Sequence, residues 1–145
     1  MNLLRRGVIS ETAEAKCGLC GFAVELTFHL FGMCSLSARL WYAVVNWLGF
    51  DFVMPGDLMI LFSICCSYGT SSSCVGGLSL IWHTTIWVIW DLRNLSILSD
   101  QVPNWELAFD RIQSVSWRWF LARSRSFPCL FYEWVVNHLD CLARI

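Results

Sequence analysis

The chain has 145 residues, enough for one domain with a real core and too few for several. Its formal net charge of −1 sets up no field that would argue for a polyanionic partner. Hydrophobic residues make up 57% and charged ones only 14%, with nine tryptophans, so the chain packs very densely, hides surface in an assembly, or meets a membrane.

Residues 1–16 read as a short helix end and a polar connector. Arg5 and Arg6 are followed by Gly-Val-Ile-Ser-Glu and not by a sustained apolar stretch, so no export signal is visible and an intracellular setting is expected. The eight cysteines are then expected to be reduced thiols or metal ligands rather than disulfides.

Residues 17–34 carry the pattern C-x2-C-x8-H-x4-C. Cys17 and Cys20 can grip one ion from a single tight turn, and His29 with Cys34 can complete a tetrahedron from the next segment. Four S and N ligands with no open position are what a structural Zn²⁺ site needs, so the spacing predicts structural and not catalytic zinc. The same residues also admit buried thiols or a redox Cys-x-x-Cys pair, although no βαβ pattern accompanies it. Glu25 lies four residues before His29. If that stretch is helical the two share a face, and Glu25 would orient the imidazole from behind.

Ser35 or Ser37 is expected to cap a helix to about Leu48, closed by Gly49. Pro55-Gly56 marks a break, and Asp57 is expected to cap a helix through about Cys66. The Ser/Gly-rich patch 67–77 reads as a flexible loop. A long helix is then expected from Leu78 to about Leu98, with Trp82, Ile86, Ile89, Trp90 and Arg93 on one face. After Pro103, Asn104 is expected to cap a last long helix to about Ser124, with an apolar stripe of Trp105, Ala108, Phe109, Ile112, Val115 and Trp119. Pro128 stops it, and the end of the chain reads as an irregular aromatic tail. The expected fold is mainly α: one domain over 1–145, with a zinc-stabilised N-terminal segment (17–34) packed on a helical body (35–125) and the tail (126–145).

No Asp, Glu, Lys or Arg occurs from Leu58 to Trp90. The apolar runs within it, about nine residues to Cys66 and about thirteen from Leu78, each fall short of the roughly 20 needed to span a bilayer. A small membrane-associated protein with helices near 40–66 and 78–98 remains the alternative.

Asn2-Leu3-Leu4-Arg5-Arg6-Gly7-Val8, the Cys-x2-Cys, and Glu25 with His29-Leu30-Phe31 and Cys34 together resemble the zinc-binding domain of plant LINE-type (non-LTR retrotransposon) reverse transcriptases. Further matches are Trp47-Leu48-Gly49, Ile81-Trp82-His83, Ile86-Trp87-Ile89-Trp90, Arg93-Asn94, Ser116-Trp117-Arg118-Trp119 and Cys129-Leu130-Phe131-Tyr132-Glu133-Trp134, so the likeness covers nearly the whole chain. The resemblance implies a non-catalytic C-terminal module that helps its parent polymerase grip RNA or DNA. Two departures stand out: the Trp-rich basic stretch that precedes Leu-Arg-Arg-Gly in the family is missing before Met1, and residues 69–77 lack the basic charge expected of relatives. Both fit a decayed element remnant without function.

Polymerase chemistry needs neighbouring aspartates to hold two Mg²⁺ ions, and Asp51, Asp57, Asp91, Asp100, Asp110 and Asp140 supply no such pair. The chain is therefore expected not to be an enzyme and to take no small-molecule substrate. His83 with Cys65 or Cys66 lacks the support of a catalytic dyad and reads as a packed, hydrogen-bonded histidine. Cys129, His138 and Cys141 lack a fourth ligand for a second metal site. For nucleic acid, Arg111, Arg118 and Arg125 fall seven apart on one helix face, Arg5 and Arg6 flank the metal segment, and Trp117 could stack on a base. A solvated face explains the same arginines, and the balanced total charge favours it.

Overall fold

The computed structural model describes residues 15–124 and 129–144, and these are mainly helical, with no strand among them. A π-helical turn, His29–Met33, leads into five α-helices: α1 (Ser35–Leu48), α2 (Leu58–Ser67), α3 (Ser72–Ser99), α4 (Trp105–Arg123) and α5 (Phe131–Ala143). Polar residues at the helix starts explain most of the boundaries. Asp57 accepts the N–H groups of Met59 and Ile60 at the head of α2, and Asn104 accepts those of Glu106 and Leu107 at the head of α4. Each satisfies donors that the first helical turn leaves without partners. Gly49 ends α1 at φ 78°, a left-handed conformation that a side chain would strain. Neither Ser35 nor Ser37 caps α1. Cys34 occupies the cap position without a side-chain bond, and the Ser37 hydroxyl turns back to the Leu30 carbonyl at 2.5 Å.

Helix α3 is the spine of the molecule: α1, α2, α4, α5 and the π turn all pack on it. It begins well before the expected Leu78. Ser71 caps it through the Cys74 N–H, so residues 72–77 are helix and the expected loop shrinks to a short connection after Ser67. The small residues in this stretch serve packing rather than flexibility. Gly77 is buried, and a Cβ there would collide with Leu142 of α5. With its full 28 residues, α3 is the one helix among the described residues long and apolar enough to cross a membrane by length and composition, contrary to the expectation of two short runs. Half of its most apolar window is buried within the protein.

The buried face of α3 is Cys74, Leu78, Ile81, Thr84, Thr85, Val88, Ile89 and Arg93, rotated from the expected tryptophan stripe. Thr84 and Thr85 tolerate burial because their hydroxyls donate to the carbonyls of Leu80 and Ile81, one turn back. Trp87 and Trp90 are thereby turned toward solvent. Helix α4 buries Ala108, Ile112 and Val115 of its expected stripe together with Gln113, Ser116 and Phe120, while Trp119 is partly exposed.

The core joins Leu40, Trp41, Val44 and Leu48 of α1 to Leu61 of α2, Ile81 and Val88 of α3, Ile112 and Phe120 of α4, and Trp134 and Leu142 of α5. Buried indoles also act as staples, since each N–H needs a partner when removed from water. Trp47 donates to Val135 at 2.8 Å, just before α5 departs from helical geometry at Asn137. Trp117 donates to Cys129 at 2.7 Å, and Trp134 to the Ser116 hydroxyl at 3.1 Å. These bonds explain why the expected irregular tail is instead an ordered helix. A disulfide between Cys129 and Cys141 closes the same region, against the expectation of reduced thiols.

Candidate metal centre

The site is assembled from two turns, each fixed by its own backbone bonds. In the first, Lys16 and Val24 form an isolated antiparallel bridge, Cys17 N–H donates to Ala23 at 2.7 Å, and Gly21 N–H donates to Cys17 at 2.8 Å. The loop reverses at Gly21, φ 71°, where glycine avoids the steric penalty of a side chain. This hairpin holds Cys17 and Cys20 on one side. The second is the π turn carrying His29, with Cys34 directly after it. Its carbonyls at Leu30 and Phe31 are taken by Ser37 Oγ and by Trp41 Nε1 (2.6 Å), both on α1. The histidine-bearing turn is thus clamped to the bundle by side chains it does not contain.

The ligand atoms of Cys17, Cys20, His29 and Cys34 all lie within 4.8 Å of one another, and the group could hold a metal ion. Cys20 Sγ stands 3.4 Å from His29 Nε2, close to the edge of a tetrahedron drawn around zinc, roughly 3.5–3.8 Å at ordinary Zn–S and Zn–N lengths. Cys17 and Cys34 are buried, while Cys20 and His29 are half-exposed and leave an ion a route in. Burial pushes the Cys17 thiol up to about 11, and Cys34 and Cys20 add to that against the Cys20 and Leu19 backbone N–H groups. Burial acts upward on Cys20 too, but the N–H groups of Ala23 and Phe22, with His29 and Cys17, bring it down to about 6. Cys20 is therefore the thiol most ready to ligate as a thiolate.

Glu25 does not share a helical face with His29, because it sits in the extended segment after the hairpin. Its carboxylate instead accepts the Gly18 N–H at 3.0 Å and pairs with Arg93 of α3. Arg93 was no candidate on spacing, being 68 residues away. Charge scarcity held the clue: Glu25 is the only Asp, Glu, Lys or Arg between Lys16 and Arg39, and Asp91 and Arg93 are the only two between Asp57 and Asp100. Ions so isolated in apolar sequence need each other when buried.

The candidate nucleic-acid residues are not brought together as a free basic stripe. Arg5, Arg6 and Arg125 lie outside the described residues. Arg111 pairs with Asp91 at 2.5 Å and sits over the Trp87 ring at 4.8 Å. Trp117 is held edge and face by its bond to Cys129 and by Phe131, 5.4 Å away. Arg118 is exposed and bends back toward the Ser114 carbonyl at 3.3 Å. His83 is exposed rather than packed, donating to the Ser79 carbonyl at 2.6 Å.

No protein-family model matches this sequence, and no curated protein or solved structure matches it either.

Proposed function

We propose that this chain is a non-catalytic zinc-binding domain in which Cys17, Cys20, His29 and Cys34 hold one structural Zn²⁺. The observation that carries this reading is the convergence of three sulfurs and one imidazole nitrogen from two independently fastened turns. Thiolate-rich sets favour zinc over the hard cations that prefer oxygen. A four-donor set also leaves no position for a substrate. Bound zinc would supply cross-linking, tying the hairpin 15–24 to the π turn and α1. Such sites contribute on the order of 10 kcal/mol in small modules. The likeness to plant LINE-type reverse transcriptases supports placing the domain at the C-terminal end of such an element, assisting the parent protein on RNA or DNA. That nucleic-acid role rests on the likeness alone, because Arg111 and Trp117 already have partners within the protein.

Native mass spectrometry of protein purified with zinc tests the metal reading. One zinc per wild-type chain is expected, with none retained by Cys20→Ser, which removes one of four donors. A folded wild-type sample with no stoichiometric metal sinks the reading.

The length and apolarity of α3 favour a second reading, a membrane-associated helical protein. Partition into membranes that resists a carbonate wash supports it. Release by that wash removes it.

A further inference from the structure

We infer that Arg93 of α3 is the positioning residue of the metal centre, docking both of its halves on one guanidinium; this rests on the metal reading above. The side chains of Arg93 and Glu25 are only 6% and 13% exposed, so the pair is nearly removed from water. Through Glu25, Arg93 reaches the chelating hairpin: Glu25 Oε2 accepts the N–H of Gly18, which lies between Cys17 and Cys20. The hairpin also lies flush on α3 at this point. A Cβ on Gly18 would stand 3.0 Å from Ile97 and 3.3 Å from Cγ of Arg93. Through Trp90, Arg93 reaches the other half. The guanidinium lies over the Trp90 ring at 5.2 Å, and that ring stacks on Phe31 of the π turn, two residues after His29, at 6.4 Å. Asn94 takes a further guanidinium N–H at 3.2 Å and fixes the plane of the fork.

The hydrogen bonds of Arg93 go to Glu25 and Asn94 and not to the four ligands, so its effect is on their mutual placement. With both turns docked, the donors are set near a tetrahedron before an ion arrives, and less ordering remains to oppose binding. A lysine cannot reproduce this, since it offers no planar fork for Glu25 and stacks less well on an indole. Outer partners of metal ligands elsewhere are worth roughly 10–100-fold in metal affinity, and a residue that places both turns belongs in that range.

The test is Zn²⁺ affinity by competition with a chromophoric chelator, for the wild type, Arg93→Lys, Glu25→Gln and the control Arg111→Lys. The control makes the same change at the other ion pair of α3, with Asp91. The expected result is one Zn²⁺ per chain throughout, with affinity reduced at least tenfold in Arg93→Lys and Glu25→Gln and within twofold of wild type in the control. The double variant should lose little more than either single change, because both break one pair. Circular dichroism of the zinc-free proteins separates this from simple misfolding: helix content should match across the set. If Arg93→Lys does not fold, Glu25→Gln, which keeps the size of the side chain, and Gly18→Ala, which lifts the hairpin off Ile97, carry the same expectation. Wild-type affinity in the folded variants overturns the assignment of Arg93 while leaving the metal reading intact. A wild type that binds no zinc overturns both.

Discussion

His138 has 5% of its surface exposed, and neither ring nitrogen has a hydrogen-bond partner. Its ring rests against Trp47, 4.8 Å away. Burial holds its pKa below the ordinary 6.5, and the backbone of Leu48 nearby offsets only part of that. The sign follows from linkage. Below the unfolded value the unfolded chain binds a proton that the folded one refuses, so stability falls as pH drops through 6.5 and is flat above it. The slope is at most about 1.4 kcal/mol per pH unit, that of one proton. Thermal melts between pH 7.5 and 5.5 (chosen to bracket that value) should show the wild type losing stability faster than His138→Leu, and parallel curves would remove the argument. Nothing in the sequence marked His138 as an isolated buried imidazole, because its surroundings come from α1, far along the chain. Cys17, Cys20, His29 and Cys34 were legible as a cluster for the opposite reason: they lie on two turns close in sequence, so short spacings bring their donor atoms together. Glu25 was legible as a participant but not in its role, since its partner Arg93 is brought to it only by the fold.

Helix starts at Asp57 and Asn104 could be read because a cap is a local bond, between a side chain and backbone two or three residues on. The start of α3 could not. Ser71-Ser72-Ser73 and Gly76-Gly77 have the composition of a loop, and whether small residues mean flexibility or close approach depends on what packs there. Two adjacent glycines separate these meanings. Gly76 is exposed with nothing near a hypothetical Cβ, whereas Gly77 faces Leu142 with no room for one. Gly76→Ala should therefore stabilise the protein by up to about 1 kcal/mol, the difference in helix propensity. Gly77→Ala should destabilise it by roughly 1–3 kcal/mol, the usual penalty for overpacking. Urea melts of both variants check the pair. If both are stabilising, residues 72–77 do not pack under α5; if both are destabilising, they are not helical. The faces of α3 and α4 were legible in part, since periodicity gives a stripe but not its edges: Ile89, Arg93, Ala108, Ile112 and Val115 are buried as expected, whereas Trp90 and Trp119, expected on the same stripes, lie partly exposed. Thr84, Thr85 and Ser116 took those places because each hydroxyl finds a carbonyl within its own helix.

The molecule as a whole divides into a segment bearing the candidate metal ligands, with few buried residues, and a helical body that holds most of the core. In residues 15–34 only Cys17, Leu30, Gly32 and Cys34 are buried, and Phe22, Val24, Leu26 and Met33 are largely exposed. What fastens that segment is the Glu25–Arg93 pair and the bonds from Ser37 and Trp41, to which the proposed ion would add a cross-link through Cys17, Cys20, His29 and Cys34. The body has an apolar core running through all five helices, three indole staples between distant elements and a disulfide across its last helix. If the proposed ion is bound, stripping it should release the segment without melting the body. Hydrogen exchange followed by mass spectrometry, with and without a strong chelator, reads this directly. Residues 15–34 and the face of α3 around Arg93 and Ile97 should lose protection, while the middle of α3, α4 and α5 keeps it. Locally opened regions of this kind share a lower free energy than the global core. Uniform loss across all five helices would mean that the ion holds the entire fold, as in the smallest zinc modules. No change anywhere would return the three sulfurs and the imidazole to the status of packed side chains. The partial outcome is the one the contacts favour, because Ile81, Ile112 and Trp134 are completely buried where the helices pack on one another.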